Sequence, residues 1–548
     1  MVTQINSQDP SSLQQWPSAL QPREVKTLAA IDIGTNSIHM VVVKINPDLP
    51  AFDIVDAEKS TVRLGERCPD TGNLTPEATV RAISALRRCQ EIARGLDVNH
   101  VIAVATSAVR EAPNGSTFIQ AVEKELGLKI NLISGPEEAR RIYLGVLSGV
   151  EFDHKPHVIV DIGGGSTEII LGDGREPRYL SSTKVGAVRL TEDFLTTDPI
   201  SKHEFECLQA YVRGKLEWPV EELRSHLSPN EQPQLIGTSG TIESLIKIHA
   251  CETLGACPTS LHGHILSLED LQKLTHRLRK LSYDERCKIA GMSERRAEII
   301  VAGAVVLQEA MSLLGIDSIT ACGRALREGV IVDWMLTHGL IEDRLRYQGS
   351  IRQRSALNLA QKYGVDLEAA QRIAQFAVSL FEQTQGILHQ WTDVERELLW
   401  AAAILHNAGH FVSHSAHHKH SYYLIRHGGL LGYTDPEVEI VANLARYHRK
   451  GPPKKRHQNY QNLANETQRQ IVNQLSAILK LAVGLDRRQS GAVATFRCDY
   501  DPEQKTLNLH VQPSRPDEDC ALELWSLTYK KQCFETEFDV QLDAQLDP

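Results

Sequence analysis

The sequence predicts an α/β protein in two related halves, followed by an all-α domain and a small α+β C-terminal domain. Three observations carry this reading. An apolar–turn–apolar segment at Thr27 to Lys44 recurs at Val158 to Gly172. Apolar spacing of helical type takes over near residue 340 and runs to about residue 490. Strand-type alternation then returns. The boundaries read as a polar, disordered tail over 1–25, α/β halves over 26–150 and 151–335, a helical domain over 336–490 and the mixed domain over 491–548. At about 150 residues per domain, 548 residues imply three or four domains.

The elements follow in order. Thr27 to Lys44 is a β-hairpin: an apolar run, a turn of Gly34, Thr35, Asn36 and Ser37, then alternation into Val41–Val43. Residues 75–95 form a helix opened by Thr75 as cap, Pro76 in the first turn and Glu77 beside it. Val101 to Val104 is a buried strand leading into Thr106, Ser107 and Arg110. Ile130 to Ile133 is a second strand, running into a helix start at Ser134-Gly135-Pro136-Glu137-Glu138. Val158 to Gly172 repeats the first hairpin. A shift of 129 positions carries Asp32 onto Asp161, Gly34 onto Gly163 and Ser37 onto Ser166. A third small-residue turn spans Ile236 to Thr241, and one long helix runs from about Arg295 to Leu314. The C-terminal stretch reads as two strands, ATFRCDY and TLNLHVQP, and a helix, ALELWSLTYKKQCFETEF.

Composition excludes several classes. A hydrophobic share of 42% and a charged share of 23% are those of a globular chain. The formal charge of −10 excludes a generally basic nucleic-acid binder, so a polyanion must be met by local positive patches. The longest apolar run, Leu398 to Leu405, is far short of the roughly 20 residues of a membrane span. The N-terminal residues have neither the basic nor the apolar region of a secretory signal. Ten scattered cysteines without a Cys-x-x-Cys pair predict reduced thiols in a cytoplasm, with no disulfide framework and no zinc site.

The two Asp-x-Gly turns suggest chemistry. Glycine turns expose backbone N–H groups that hold phosphate oxygens. A carboxylate at the same place repels phosphate unless a divalent cation lies between them, so the pair reads as phosphate plus Mg²⁺. Glu137 and Glu138 are explained, on their own, as first-turn acids complementing the helix dipole. Arg110, following a strand, is a natural partner for a transferring phosphoryl group.

These segments carry a resemblance. DIGTNSIHMVVV and VIVDIGGGSTEII match the phosphate loops of the actin, sugar-kinase and heat-shock-chaperone superfamily. ATSAVREAPNG, ISGPEEARRIYLGV, DIGGGSTE, GTSGTIESL and LREGV, in order from about Ala29 to Trp334, resemble the exopolyphosphatase and guanosine pentaphosphate phosphohydrolase family. The resemblance implies that the two halves are actin-like (ribonuclease H-like) domains. It implies that Glu138 is the general base, that Asp161 and Glu168 hold Mg²⁺ and orient water, and that Asp32 is a second metal-side carboxylate. Gly34, Thr35, Asn36 and Ser37, with Gly163, Gly164, Gly165 and Ser166, become the phosphate cradle. Arg110 offsets phosphoryl charge, Thr106 and Ser107 line the site, and Ser239, Gly240 and Thr241 form its rim. Nearby acids such as Glu137 or Asp161 are expected to raise the base's pKa. The implied substrate is inorganic polyphosphate, with guanosine pentaphosphate or tetraphosphate as the sister ligand. The implied assembly is a homodimer, and neither nucleic acid nor membrane is an expected partner. A non-catalytic polyphosphate or nucleotide sensor and an actin-like ATPase are the other classes. The three carboxylates Glu138, Asp161 and Glu168 speak against the first, and the SGPEEAR glutamate against the second.

LLWAAAILHNAGHFVSHSAHHKHSYYLI resembles the helical domain of long family members, a relative of His-Asp metal phosphohydrolases. Asn407 follows His406 where those enzymes have Asp, and Val483 stands where a final metal Asp is usual. His406, His410 and His414 are therefore expected not to form a di-metal site. The run Arg446 to His457 carries Arg446, Arg449, Lys450, Lys454, Lys455 and Arg456 with no acid, which reads as a solvated face or a polyanion track, and the resemblance to long family members implies a polyphosphate track.

Overall fold

The structure is a computed structural model describing residues 25–47, 51–258, 260–341, 351–430, 433–463 and 465–547. The expected tail lies, except for Val25, outside the described residues. Its strands form three sheets. The first joins β1 (Lys26–Ile33), β2 (Ser37–Asn46), β3 (Ala51–Thr61), β4 (His100–Ala105) and β5 (Ile130–Leu132) in the order β3-β2-β1-β4-β5. The second joins β6 (His157–Ile162), β7 (Thr167–Gly172), β8 (Tyr179–Thr183), β9 (Gln234–Thr238), β10 (Ile265–Ser267) and β11 (Ser318–Ala321) in the order β10-β11-β9-β6-β7-β8.

The two sheets share one topology. In the first, β2 and β3 follow β1 antiparallel, while β4 and β5 add parallel on the other side. In the second, β7 and β8 follow β6 antiparallel, while β9 and β11 add parallel. This is the actin-like arrangement expected from the repeated hairpin. Both hairpins stand where the sequence places them.

The halves are interlocked. The helix Gly135–Leu147 closes the first half, yet its Tyr143 packs with Ile159 and Ile170 of the second sheet. The helix Leu326–Thr337 closes the second half, yet its Val330 and Ile331 join Leu28, Val41 and Val104 of the first. These residues form one shared core between the sheets. Each sheet's outer face has its own cluster, around Ile31, Met40 and Leu86 in the first and Val160, Leu216 and Val305 in the second. The two closing helices cross at Gly145 and Gly329. A Cβ on Gly145 would collide with the Ala325 carbonyl, and one on Gly329 with the Arg141 carbonyl. Arg140 bridges the same crossing to Asp333 at 2.7 Å.

Beyond residue 350 helices dominate, as expected. They share one continuous core with the last sheet, in which Phe381, Leu405 and Leu479 meet Phe496, Leu509 and Phe534. That sheet has three strands, β12 (Val493–Asp501), β13 (Thr506–Pro513) and β14 (Gln541–Leu546), the last unexpected and parallel to β13. No described helix is long and apolar enough to cross a membrane.

Three expectations are corrected. The long helix from Arg295 is two pieces, Glu294–Ala297 and Ile300–Leu314, broken where Glu298 reaches across to pair with Arg63 of the first half at 2.8 Å. The C-terminal helix is likewise split into Ala521–Lys530 and Gln532–Phe538. Cys251 and Cys257 form a disulfide, against the expectation of reduced thiols throughout. Gly255 adopts φ +70° at the end of the helix Gly240–Leu254 and folds the chain back, bringing the two Cα atoms to 4.2 Å. A spacing of six residues carries no such signal in sequence.

The glycine crossing is testable. Gly329→Val forces the closing helices apart and is expected to destabilise by about 1–3 kcal/mol, as overpacking does. Gly95→Ala, where a Cβ meets nothing within 4 Å, serves as the neutral control. Urea midpoints of the two variants check this.

Candidate active site

Asp32 lies near the end of β1, opposite His39 on β2, and Asp161 near the end of β6, opposite Glu168 on β7. The shift that superposes the hairpins thus places His39 where the second half has Glu168. Both turns close with one bond: the Gly34 N–H donates to the Ser37 carbonyl at 3.2 Å, the Gly163 N–H to the Ser166 carbonyl at 2.9 Å. The turns face each other. Thr35 Oγ1 and Ser107 Oγ are hydrogen-bonded at 3.0 Å. A Cβ on Gly165 would sit 2.6 Å from Ser107 Oγ and 2.9 Å from Thr35 Oγ1, so only glycine lets the turns approach.

Between them lies a cavity of about 160 Å³. Asp32, Gly34, Thr35, Asn36, Ser37, Thr106 and Ser107 line it from the first half. Glu138 enters from the helix Gly135–Leu147. Asp161, Gly163, Gly164, Ser166, Ser239 and Gly240 line it from the second half. Four expected residues stand just behind the wall. Gly165 supports the turn. Thr241 is buried 3.4 Å from Arg296. Glu168 is buried on β7 and accepts from Ser182 Oγ at 2.7 Å. Arg110 donates to Glu138 Oε2 at 3.1 Å and to the Ile133 carbonyl at 2.8 Å. Ser239, at φ +91°, is held in a strained backbone at the cavity wall.

Helix geometry separates the two glutamates. Ser134 caps the helix by accepting from the Glu137 N–H. Glu137 then points outward to Arg140 and Arg141, each at 2.7 Å, and those pairs hold its carboxyl below the usual range. Glu138, the next residue around the turn, points in and is 7% exposed. Glu137 is therefore not among the groups that raise Glu138. Burial does so first, then the charges of Glu168 and Asp32, against the pull of Arg110. The rest of the cluster is pushed the same way. Burial carries Asp161 to about 8, with the charges of Glu138, Asp32 and Glu243 adding to it. Burial and Asp161 carry Glu168 to about 8, and burial carries Asp32 to about 6 despite Arg327. Asp32 Oδ1 is buried without a hydrogen-bond partner among the described residues.

Sequence reasoning missed the cations that face this cluster. Arg327 stands in the quoted LREGV segment and lines the cavity. Arg296, half-buried, lies against Gly240. Lys59 stands beside both, and its pKa is lowered by burial and by their charges. The broken helix, which aims Arg296 inward, left no mark on sequence periodicity. His39 was legible from the hairpin superposition. Burial and the nearby Arg327, Lys59 and Arg296 lower its pKa to about 3, so it is neutral. None of Arg446, Arg449, Lys450, Lys454, Lys455 or Arg456 lines this cavity.

A sequence profile described as the Ppx/GppA phosphatase family matches residues 41–338, more than half of the chain. The chain belongs to the Ppx/GppA phosphatase family. Residues 351–531 match a second profile, Ppx/GppA phosphatase, domain III. Solved relatives include an exopolyphosphatase from Cytophaga hutchinsonii, 30% identical, with a TM-score of 0.53, aligned over 57% of this chain and 98% of that one. An exopolyphosphatase-like protein is 29% identical over 57% and 98%, with a TM-score of 0.50. The Aquifex aeolicus member of the Ppx/GppA family is 27% identical over 57% and 99%, with a TM-score of 0.49. Family membership makes the activity hydrolysis of a phosphoanhydride.

The raised carboxylates set a pH dependence of stability. A folded acid with a raised pKa keeps its proton where the unfolded chain has released it. Stability is therefore greatest near and below the ordinary carboxylate range and falls as pH rises through about 6 for Asp32 and about 8 for Asp161. Asp161→Asn is expected to stabilise the chain at pH 8 without divalent cations, by on the order of 1–3 kcal/mol, while abolishing turnover. Thermal melts at pH 5 and 8 read this, and an equal effect at both values would contradict it.

Proposed function

We propose that this chain is an exopolyphosphatase that removes the terminal phosphate of inorganic polyphosphate as orthophosphate. The observation that carries the reading is Glu138: a buried, basic carboxylate set across a cavity from two glycine turns. A second cavity, of about 390 Å³, shares Asn36 and Arg296 with the first and adds Lys59 and Arg295. A cation-lined extension suits a linear polyanion. Neither lining includes Phe, Tyr or Trp, so neither offers a large aromatic face on which a guanine would stack. This favours the polymer over guanosine pentaphosphate.

In the proposed reaction the Gly34–Ser37 and Gly163–Ser166 turns hold the terminal phosphoryl group. Glu138 takes a proton from water as the water oxygen bonds to the terminal phosphorus. The bond to the bridging oxygen breaks, and the shortened chain leaves with that oxygen's electron pair. Arg110, already on Glu138, and Arg327 balance the charge. Catalysis is then positioning plus charge stabilisation, with little covalent work.

The donor set suits Mg²⁺. Asp32 offers an unpartnered buried oxygen, and Asp161, backed by Glu168, a second hard donor. Among the described residues no three His, Cys, Asp or Glu side chains form a ready ion cage. That agrees with an ion that takes one or two carboxylates, keeps water and binds phosphate oxygens. When bound it would neutralise the negative oxygens of the substrate.

Orthophosphate release from long-chain polyphosphate and from guanosine pentaphosphate, in parallel and with Mg²⁺, tests the reading. Preference for polyphosphate is expected, and preference for the nucleotide would move the chain to the sister activity. Glu138→Gln is expected to lower kcat about 10²–10⁴-fold with KM little changed. Lys59→Met with Arg295→Met is expected to raise KM for long chains and flatten its salt dependence, with kcat held. The same measurement on Lys454, Lys455 and Arg456 variants tests the strip in the helical domain, and an unchanged KM there would remove it from the substrate path.

A further inference from the structure

The helical domain gathers a set of side chains that the cleft chemistry leaves unused. His406 follows the helix Asp393–Leu405, His448 follows the helix Asp435–Tyr447, and His417 opens the helix His417–His427. The three are 1%, 2% and 5% exposed. The His406 and His448 rings lie 4.9 Å apart, and those of His417 and His448 5.4 Å. The cluster reaches the surface at His410, whose ring is 4.0 Å from that of His417.

Hydrogen bonds fix two of the tautomers. His406 Nδ1 and His448 Nδ1 each lie 2.6 Å from a backbone carbonyl, of Ala403 and Ala445, so both N–H groups donate there and both Nε2 atoms carry a lone pair. His417 Nδ1 lies between the Arg449 guanidinium at 3.1 Å and the His414 carbonyl at 3.2 Å. Its Nε2 faces His448 Nε2 at 3.4 Å and so partners it. That leaves His406 Nε2, a buried acceptor with no partner among the described residues.

The surroundings are positive. Lys480, 4% exposed, donates to the Lys450 carbonyl and to Cys533 Sγ, each at 3.0 Å. Lys530 sits close enough to His406 and His448 to add to the lowering that their burial causes, and burial, then Arg487, Lys480 and Arg449, lower its own pKa to about 8. Among the described residues, the charged groups that act most strongly on these imidazoles and on Lys530 are cations and other imidazoles. A buried lone pair and uncompensated cations ask for one ligand that is both anion and donor. A divalent metal ion meets the lone pair but not the cations. A fully ionised oxyanion such as sulfate meets the cations but not the lone pair.

We propose that this cluster binds a hydrogen-phosphate group, with Arg449 and Lys530 meeting its oxygens and its P–OH donating to His406 Nε2. Free orthophosphate and the terminal group of a polyphosphate chain both carry this chemistry. The site is separate from the cleft and stands whether or not the cleft hydrolyses polyphosphate.

Equilibrium dialysis of the full chain against inorganic phosphate, beside Lys530→Met and His406→Phe variants, tests it. One phosphate per chain is expected to weaken about tenfold or more in each variant, the loss of a charge-assisted or buried hydrogen bond. Sulfate is expected to compete at least about tenfold less well than phosphate, since it lacks the donor. Tripolyphosphate offered to the Glu138→Gln chain separates the sources: competition in proportion to chain ends assigns chain termini, and none assigns free phosphate. Unchanged phosphate binding in both variants, or sulfate equal to phosphate, would overturn the proposal. So would a transition ion that co-purifies with the chain and is lost in His406→Phe. Should either variant fail to fold, crystals of the unaltered chain soaked in arsenate, which keeps the hydroxyl, give the answer. Arsenic anomalous density between His406 and Lys530 is expected, and its absence there would equally overturn the assignment.

Discussion

Four carboxylates, Asp32, Glu138, Asp161 and Glu168, crowd one water-poor cleft, and the rest of the molecule is organised around tolerating them. Glu138, Asp161 and Glu168 are buried and raise one another's proton affinity, and Asp32 is half-buried beside them. Such a cluster opposes folding at neutral pH. Stabilisation comes from elsewhere: two outer apolar cores, one shared inner core, and cations placed at the edge of the cleft rather than among the acids. Among the described residues the one ion pair made to the cluster is that of Arg110 with Glu138. Arg327 acts on Asp32 and Asp161 by its charge without outweighing their burial.

The interlocked helices explain how Glu138, carried by one half, comes to face the glycine turns of both. Glu138 rides on a helix that its own half supplies and the other half's sheet supports. Its position is set by the Gly145–Gly329 crossing and by the bridge from Arg140 to Asp333. A motion of one half against the other would move the base and the turns together on one side and separately on the other. The same crossing keeps Glu137 occupied with arginines, so two adjacent acids carry unrelated duties.

Much of this was legible beforehand, for a physical reason. The glycine turns must adopt one backbone path and keep one side-chain size, so the hairpins and their Asp residues are written locally. Glu138 was legible only through the resemblance carried by SGPEEAR, since on its own it reads as one more first-turn acid complementing the helix dipole. Arg296, Lys59 and Arg327 were not, since an arginine's reach depends on where a helix breaks or ends, and the break between Ala297 and Ile300 leaves no mark on the apolar spacing. The cysteine pair was hidden for a like reason: a single left-handed glycine turns the chain back. The histidine cluster could be read as lacking a metal signature, but not as a set of fixed tautomers, which only the carbonyls of Ala403 and Ala445 define.

The exchange of closing helices also bears on how the protein is made. The inner face of the first sheet carries Leu28, Val41 and Val104, and its cover, Leu326–Thr337, is synthesised almost 300 residues later. During translation that apolar surface waits, exposed, while the whole second half emerges from the ribosome. The first half is therefore a domain in shape but not in time. Its folding is post-dated to the arrival of a segment from its neighbour, and a chaperone would find its natural client in that interval.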